Sequence, residues 1–185
     1  MLVLGISGSL RRDSHNMKLL RAAGELFEAE GADFLVYEGL KDVPPYDEDD
    51  DGDNAPEAAT RLREAIAEAD AVFFTTPEYN ASVPGQLKNA LDWVSRPIAT
   101  NALRNKHVAV IGASTGMFGA VWAQAELRKV LGTIGARVAE GEVAVGHAQD
   151  RFDEDGRLTD PNLTEEVRAV VQMLVENVQP AEVAA

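Results

Sequence analysis

Short, apolar, β-rich runs alternate with amphipathic helical stretches along the chain, and this alternation constrains the fold more than any other feature. Residues 1–6, Ala71-Val72-Phe73-Phe74-Thr75-Thr76 and Val108-Ala109-Val110-Ile111 are near-continuous apolar runs without the in-out alternation of a half-exposed strand. A strand that is hydrophobic on both faces must be covered on both, as in a parallel sheet enclosed by helices. Residues 34–37 form a shorter run of the same kind, and residues 138–145 a last one, with a possible break at Gly141.

Between these runs the apolar period changes from two to 3.6. Leu19, Leu20, Ala23, Leu26 and Phe27 share one helical stripe, as do Leu62, Ile66 and Ala69, then Leu87, Ala90, Leu91 and Val94, and later Val167, Val170, Val171, Leu174 and Val178. Gly31 and Gly135 sit where helix-terminating glycines belong, while Pro84 and Pro161 suit a first helical turn. The spacing predicts helices over about 16–30, 57–68, 85–95, 120–134 and 161–178. The resulting order βαβαβαβαβα specifies an α/β fold with helices on both faces of a parallel sheet. In a chain of 185 residues it suits the flavodoxin-like three-layer doubly wound fold, with a five-stranded parallel sheet of order 2-1-3-4-5. The expectation is a single domain over residues 1–180, with a frayed tail at 181–185.

Composition removes several classes of chemistry. The chain has no cysteine, which excludes disulfides, thiolate metal sites and cysteine nucleophiles. A formal net charge of -14 argues against nonspecific binding to nucleic acid or to an anionic membrane. No basic-then-apolar leader opens the chain, so the expected location is cytoplasmic, and the sequons at Asn80 and Asn162 are not read as glycosylation sites. The run Asp47-Glu48-Asp49-Asp50-Asp51 reads as a solvated, mobile loop rather than a cation site. The segment around Asp153-Glu154-Asp155-Gly156 fails as a calcium loop, because Arg151 and Asn162 would occupy its first and twelfth positions. No metal site is expected.

Functional signals concentrate in three loops. The first, Gly5-Ile6-Ser7-Gly8-Ser9-Leu10-Arg11-Arg12-Asp13-Ser14-His15-Asn16, joins a strand to a helix start with small residues, hydroxyls and two arginines. Backbone N–H groups, the helix N-terminus and charge-assisted donors together suit a phosphate. It is not a P-loop, since no Gly-Lys pair is present, nor a G-x-G-x-x-G turn. A ligand-free polar turn capped by Ser14 is the alternative. The second loop runs Pro77-Glu78-Tyr79-Asn80-Ala81-Ser82-Val83-Pro84, and the third spans residues 112–119. They follow strands that would be neighbours in the proposed order, so all three loops would converge on one sheet edge. A phosphate anchor beside a flat, polar-edged slot suits a flavin mononucleotide.

Three motifs then carry a family resemblance: Gly8-Ser9-Leu10-Arg11-x-x-Ser14-x-Asn16; Pro77-Glu78-Tyr79-Asn80-x-Ser82-x-Pro84-Gly85-x-Leu87-Lys88-Asn89-Ala90-Leu91-Asp92-Trp93; and Gly112-Ala113-Ser114-x-Gly116-x-Phe118-Gly119. Over about residues 1–180 the chain resembles the NAD(P)H-dependent FMN reductases, a family that includes quinone, azo-dye and chromate reductases. The resemblance implies that Ser9, Arg11, Ser14 and Asn16 bind the FMN phosphate, with the His15 backbone N–H in the same anion loop. It implies that Pro77, Glu78, Tyr79 and Asn80 contact the isoalloxazine and ribityl, and that Ser114, Thr115 and Gly116 close the site.

The implied reaction passes hydride from NADPH or NADH through FMN to a small acceptor: a quinone, free flavin, azo compound or metal oxyanion. The cofactor carries the chemistry, so no side chain is expected as a catalytic acid or base. The family also implies a homodimer or homotetramer, and Trp93 is expected at a packing or subunit interface. A flavodoxin-type electron carrier without nicotinamide activity is the alternative function, and a flavin-free binding module on the same fold is a third.

Overall fold

The computed structural model describes residues 1–52 and 54–178. In chain order the elements are β1 (Leu2–Ser7), α1 (His15–Ala29), β2 (Asp33–Val36), α2 (Glu57–Glu68), β3 (Ala71–Thr76), α3 (Gly85–Val94), β4 (His107–Ala113), α4 (Val121–Ile134), β5 (Arg137–Val138), β6 (Ala144–Val145) and α5 (Pro161–Val178). All strand pairs are parallel, and the sheet runs β2-β1-β3-β4-β5 with β6 also on β4. The flavodoxin-like order expected from the alternation is the observed one. The expected tail at 181–185 lies outside the described residues.

The central strands are buried on both faces because each face carries its own core. Leu4, Ile6, Val72, Phe74, Val108 and Val110 pack with Leu62 and Ile66 of α2, Leu87 and Leu91 of α3, and Leu127 and Leu131 of α4. Val3, Phe73, Ala109 and Ile111 pack with Leu19, Leu20 and Phe27 of α1, and Val167, Val171 and Leu174 of α5. Every residue of β3 is buried, which explains its unbroken apolar run. Trp93 is fully buried in the first core, at a packing position within the chain.

Register brings the three loops to one edge. Ser7 pairs with Thr75, and Thr76 with Gly112, so β1, β3 and β4 finish nearly level. Their outgoing segments leave the carboxyl edge side by side.

Two stretches differ in detail from the sequence expectation. The last strand is two short pieces, β5 and β6, with residues 139–143 between them. Arg128 of α4 reaches into this gap: its guanidinium donates to the carbonyls of Val110 (2.6 Å), Ala139 (2.5 Å) and Gly141. A side chain about two turns into the preceding helix therefore takes carbonyls that a continuous strand would otherwise place in the ladder. The acidic stretch is exposed along 47–50 but held at its flanks rather than being a free loop. Asn89 donates to the Pro44 carbonyl (2.7 Å) and accepts from Tyr46 N–H (2.7 Å), the Trp93 indole donates to Pro44 (2.9 Å), and Asp51 pairs with Arg63 (2.8 Å). Opposite charge and fixed polar partners offset the self-repulsion expected of the run.

Candidate functional site

The first loop is shaped by steric fit before chemistry. The Gly8 N–H donates to the Thr75 carbonyl (2.8 Å), drawing the turn over the end of β3. A Cβ on Gly8 would lie 2.8 Å from the end of the buried Leu87 side chain, so any other residue here would force that side chain to shift. Ser14 has extended backbone geometry and caps α1, its Oγ accepting from Met17 N–H (3.3 Å). Its hydroxyl proton is thereby left to donate elsewhere. The N–H groups of His15 and Asn16 have no acceptor within the helix, as for any first turn, and the positive dipole end adds to them. Lys18 pairs with Asp13 (3.0 Å), but among the described residues Arg11 and Arg12 form no ion pair. An unneutralised arginine beside free helix-start donors in so acidic a chain fits a phosphate.

Asn16 has a second role. Its side chain donates to the Ala113 carbonyl (2.9 Å) and accepts from the Ala113 N–H (3.0 Å), both bonds buried. Thr75 Oγ1 in turn donates to the Asn16 carbonyl (2.9 Å). The amide oxygen and one of the two amide N–H donors are committed to bracing the first loop against the end of β4, which leaves the backbone N–H and one side-chain N–H for an anion.

The second loop is a tight hairpin. Tyr79 and Ser82 exchange backbone hydrogen bonds (3.1 and 3.2 Å), and Asn80 and Ala81 between them have φ of 56° and 59°. Two left-handed central residues suit the twist of a hairpin, but alanine is disfavoured there. The hairpin is tied to α4 at both ends. Glu78 accepts from the Trp122 (3.1 Å) and Ala123 (3.2 Å) N–H groups, supplying the cap that Ala120, at φ 66°, lacks. Glu126 accepts from Ser82 Oγ (2.6 Å) and Val83 N–H (3.2 Å).

The third loop rests on the β6 region. Ser114 N–H donates to Val145 (3.0 Å), Ala148 N–H to Ser114 (3.0 Å), and His147 N–H to Gly116 (3.1 Å). Ser114 Oγ accepts from the Gly116 N–H (3.1 Å), which folds the loop back on itself.

These segments enclose a cleft of about 370 Å³ lined by Ser9, Arg11, Ser14, His15, Asn16, Pro77, Glu78, Tyr79, Ala113, Ser114 and Thr115. Of the residues named from sequence, Asn80 and Gly116 lie outside the lining: Asn80 is at the hairpin tip and Gly116 in the fold of the third loop. Ala113 lines the cleft without having been named for a role, since a small residue at a strand end gives no signal. Glu126 gave none either, because its partner is 44 residues away. A larger cavity of about 440 Å³ lies between α3 and α4, lined in part by Lys88, Arg96, Ile98 and Lys129. It contains none of the strand-end loops, so the smaller cleft is the candidate site.

His15 adds a constraint on charge. Its ring stacks on Phe152 at 6.1 Å, and its Nδ1 is buried without a hydrogen-bond partner. Burial first, then Arg11 and Lys18, hold its pKa below the ordinary histidine value. Among the described residues no cluster of histidines and carboxylates could hold a metal ion, and no helix is long and apolar enough to cross a membrane.

Known proteins resemble this chain in sequence and in fold. Residues 1–150 match the family model described as NADPH-dependent FMN reductase. The chain is 41% identical over 173 residues to an NAD(P)H-dependent FMN reductase of Pseudomonas aeruginosa, covering 93% of this chain and 92% of that protein. It is 41% identical over 156 residues to a quinone reductase of Pseudomonas putida, covering 84% and 83%. The solved structure of FerB, a flavoenzyme NAD(P)H:(acceptor) oxidoreductase from Paracoccus denitrificans, superimposes with a TM-score of 0.87 at 36% identity, covering 96% of this chain and 97% of that one. The chain belongs to the NADPH-dependent FMN reductase family and is an FMN-dependent NAD(P)H oxidoreductase.

Proposed function

We propose that the cleft holds FMN with its phosphate at the first loop and its ring between the second and third, and that a quinone-class acceptor follows the nicotinamide at the open face. The observation that carries this reading is the polarity of the cleft: Ser9, Arg11, Ser14 and the first-turn N–H groups lie at one end, and Pro77, Glu78, Tyr79, Ser114 and Thr115 frame the rest. Bound there, FMN supplies the capacity to take hydride from NADPH or NADH and to reduce the acceptor. The chain's own part is to bind and orient. Arg11 and the Ser9 and Ser14 hydroxyls hold the phosphate, and the His15 and Asn16 N–H groups complete the anion site. Asn16 braces the first loop against the third, and Pro77 and Tyr79 border the ring. No side chain is required to move a proton on the route of the hydride. Because Glu78 is spent on α4, it acts on the ring through loop position.

The unit spans residues 1–180. A homodimer or homotetramer is supported by the exposed apolar side chains on the second and third loops and the start of α4: Tyr79, Met117, Phe118 and Trp122. Clustered apolar area of this kind marks an interaction surface. The net charge of -14 supports a protein that binds neither nucleic acid nor anionic membrane, and the location we propose is cytoplasmic.

The test begins with anaerobic addition of NADPH or NADH to the FMN-loaded protein, followed by a panel of acceptors. Bleaching of the visible flavin absorbance and its return with a quinone are expected; flavin that resists both nucleotides but accepts electrons from a redox protein would favour the carrier reading. Arg11→Ala is expected to weaken FMN at least about tenfold, the scale of a hydrogen bond to a charged group, while leaving riboflavin, which lacks the phosphate, unaffected. Unchanged FMN affinity would remove the phosphate assignment.

A further inference from the structure

We infer that Glu126, outside the cleft, is a positioning residue: through Ser82 and Val83 it sets the hairpin that borders the ring end of the cleft. The inference rests on the FMN reading above and deepens it. Glu126 stands one helical turn beyond Trp122 and Ala123, on the same face of α4. The two N–H groups of that first turn hold Glu78, where the hairpin enters, and the Glu126 carboxylate holds Ser82 and Val83, where it leaves. One face of one helix therefore fixes both legs of the segment carrying Tyr79.

The tip between the legs does not hold itself. Ala81 is left-handed without the freedom of glycine, and Tyr79 is about half exposed. Among the described residues, two backbone bonds between Tyr79 and Ser82 close the turn from within. Removing one external tie lets Ala81 relax toward an ordinary conformation and shifts Tyr79 with it. Glu126 also suits its task electrostatically. Both of its bonds are charge-assisted, and the hydrogen bonds from Ser82 and Val83, aided by Lys129 and Lys88, hold its pKa below the ordinary glutamate value. Lys88 itself pairs with Asp92 (2.7 Å), leaving the serine and backbone donors as the principal partners of Glu126.

The position effect should be confined to one end of the ligand. In the full chain, Glu126→Ala is expected to weaken FMN and riboflavin by the same factor, about tenfold, on the scale of one hydrogen bond to a charged acceptor. A phosphate-end effect would instead spare riboflavin. Because Glu126 acts through Ser82, adding Glu126→Ala to Ser82→Ala should cost clearly less than it does in the wild-type background. Hydrogen exchange of the ligand-free protein gives a readout independent of flavin. The Tyr79, Ser82 and Val83 amides should exchange faster in Glu126→Ala, with the central strand β3 unchanged. If wild-type protein binds no flavin while the hairpin amides respond, the cofactor reading fails and the clamp stands as a structural element only. Unchanged exchange at those amides, unchanged affinity for both flavins, or additive double-mutant effects would each overturn the inference.

Discussion

Asn16 offers the sharpest quantitative prediction, because one side chain makes two buried hydrogen bonds to a residue 97 positions away. Beyond the Thr76–Gly112 pair β3 has ended, and the Asn16 amide meets the N–H and C=O of Ala113. Asn16→Ala removes both partners and leaves a buried donor and a buried acceptor facing a small void. Each unsatisfied group costs about 1–3 kcal/mol, so a combined loss of about 3 kcal/mol is expected if a water enters and partly relieves it. For a domain of this size that corresponds to a fall in Tm of about 6–12 °C. Urea unfolding of the ligand-free protein, followed by near-UV circular dichroism, gives the free energy and the m-value together. A lower midpoint with unchanged m is the expected result. Asn16→Asp separates the two bonds: it keeps an acceptor for the Ala113 N–H but turns a charged oxygen toward the Ala113 carbonyl, and should be at least as destabilising. A loss below about 1 kcal/mol in both variants would refute the reasoning, since the brace would then carry neither bond's expected weight.

Two further outcomes are expected. Ala81→Gly removes the cost of a left-handed alanine at φ 59° and should raise stability by about 0.5–1 kcal/mol, read as a Tm increase of about 1–4 °C; a decrease would show that the turn is not strained at this position. His15 and His107 are both held below the ordinary histidine value, first by burial and then by neighbouring cations, so the unfolded chain binds protons more readily than the folded one. Their contribution is present above about pH 6.5 and is lost as pH falls toward the lowered folded values; denaturation midpoints of the ligand-free protein should therefore fall between pH 7.5 and 5.5, and less so in the double variant His15→Gln, His107→Gln. A midpoint that rises on acidification, or a double variant with the wild-type slope, would contradict this.

Much of the fold could be read from the chain because its signals are local. The bounds of β3 and α2 follow from the end of an apolar run and the start of an amphipathic stripe, and both coincide with the expected ones. Boundaries drift where two signals overlap, as at His15, which lies in the anion loop and also begins α1. The meeting of the three loops could also be read, because strand order in a doubly wound sheet follows from the alternation, and the order determines which loops are neighbours. The local chemistry of the first loop survives in the same way, with Ser14 capping the helix and Arg11 in no ion pair among the described residues.

The tertiary structure decided which polar groups are already used. Asn16 and Glu78 both line the cleft as expected, but the Asn16 amide also braces Ala113 and the Glu78 carboxylate caps α4. Asn89 and Trp93 belong to the most distinctive motif, and they hold Pro44 rather than any ligand. Arg128 divided the last strand by taking its carbonyls. In every case the partner is remote in sequence or the choice lies between acceptors of similar chemistry. Periodicity reports which face of an element is buried, whereas hydrogen-bond commitment depends on distances of a few tenths of an ångström between segments brought together only by folding. The sequence alone determined the architecture and the sheet edge at which the three loops meet; the packed structure decided which donors remain open there and which hold the loops in place.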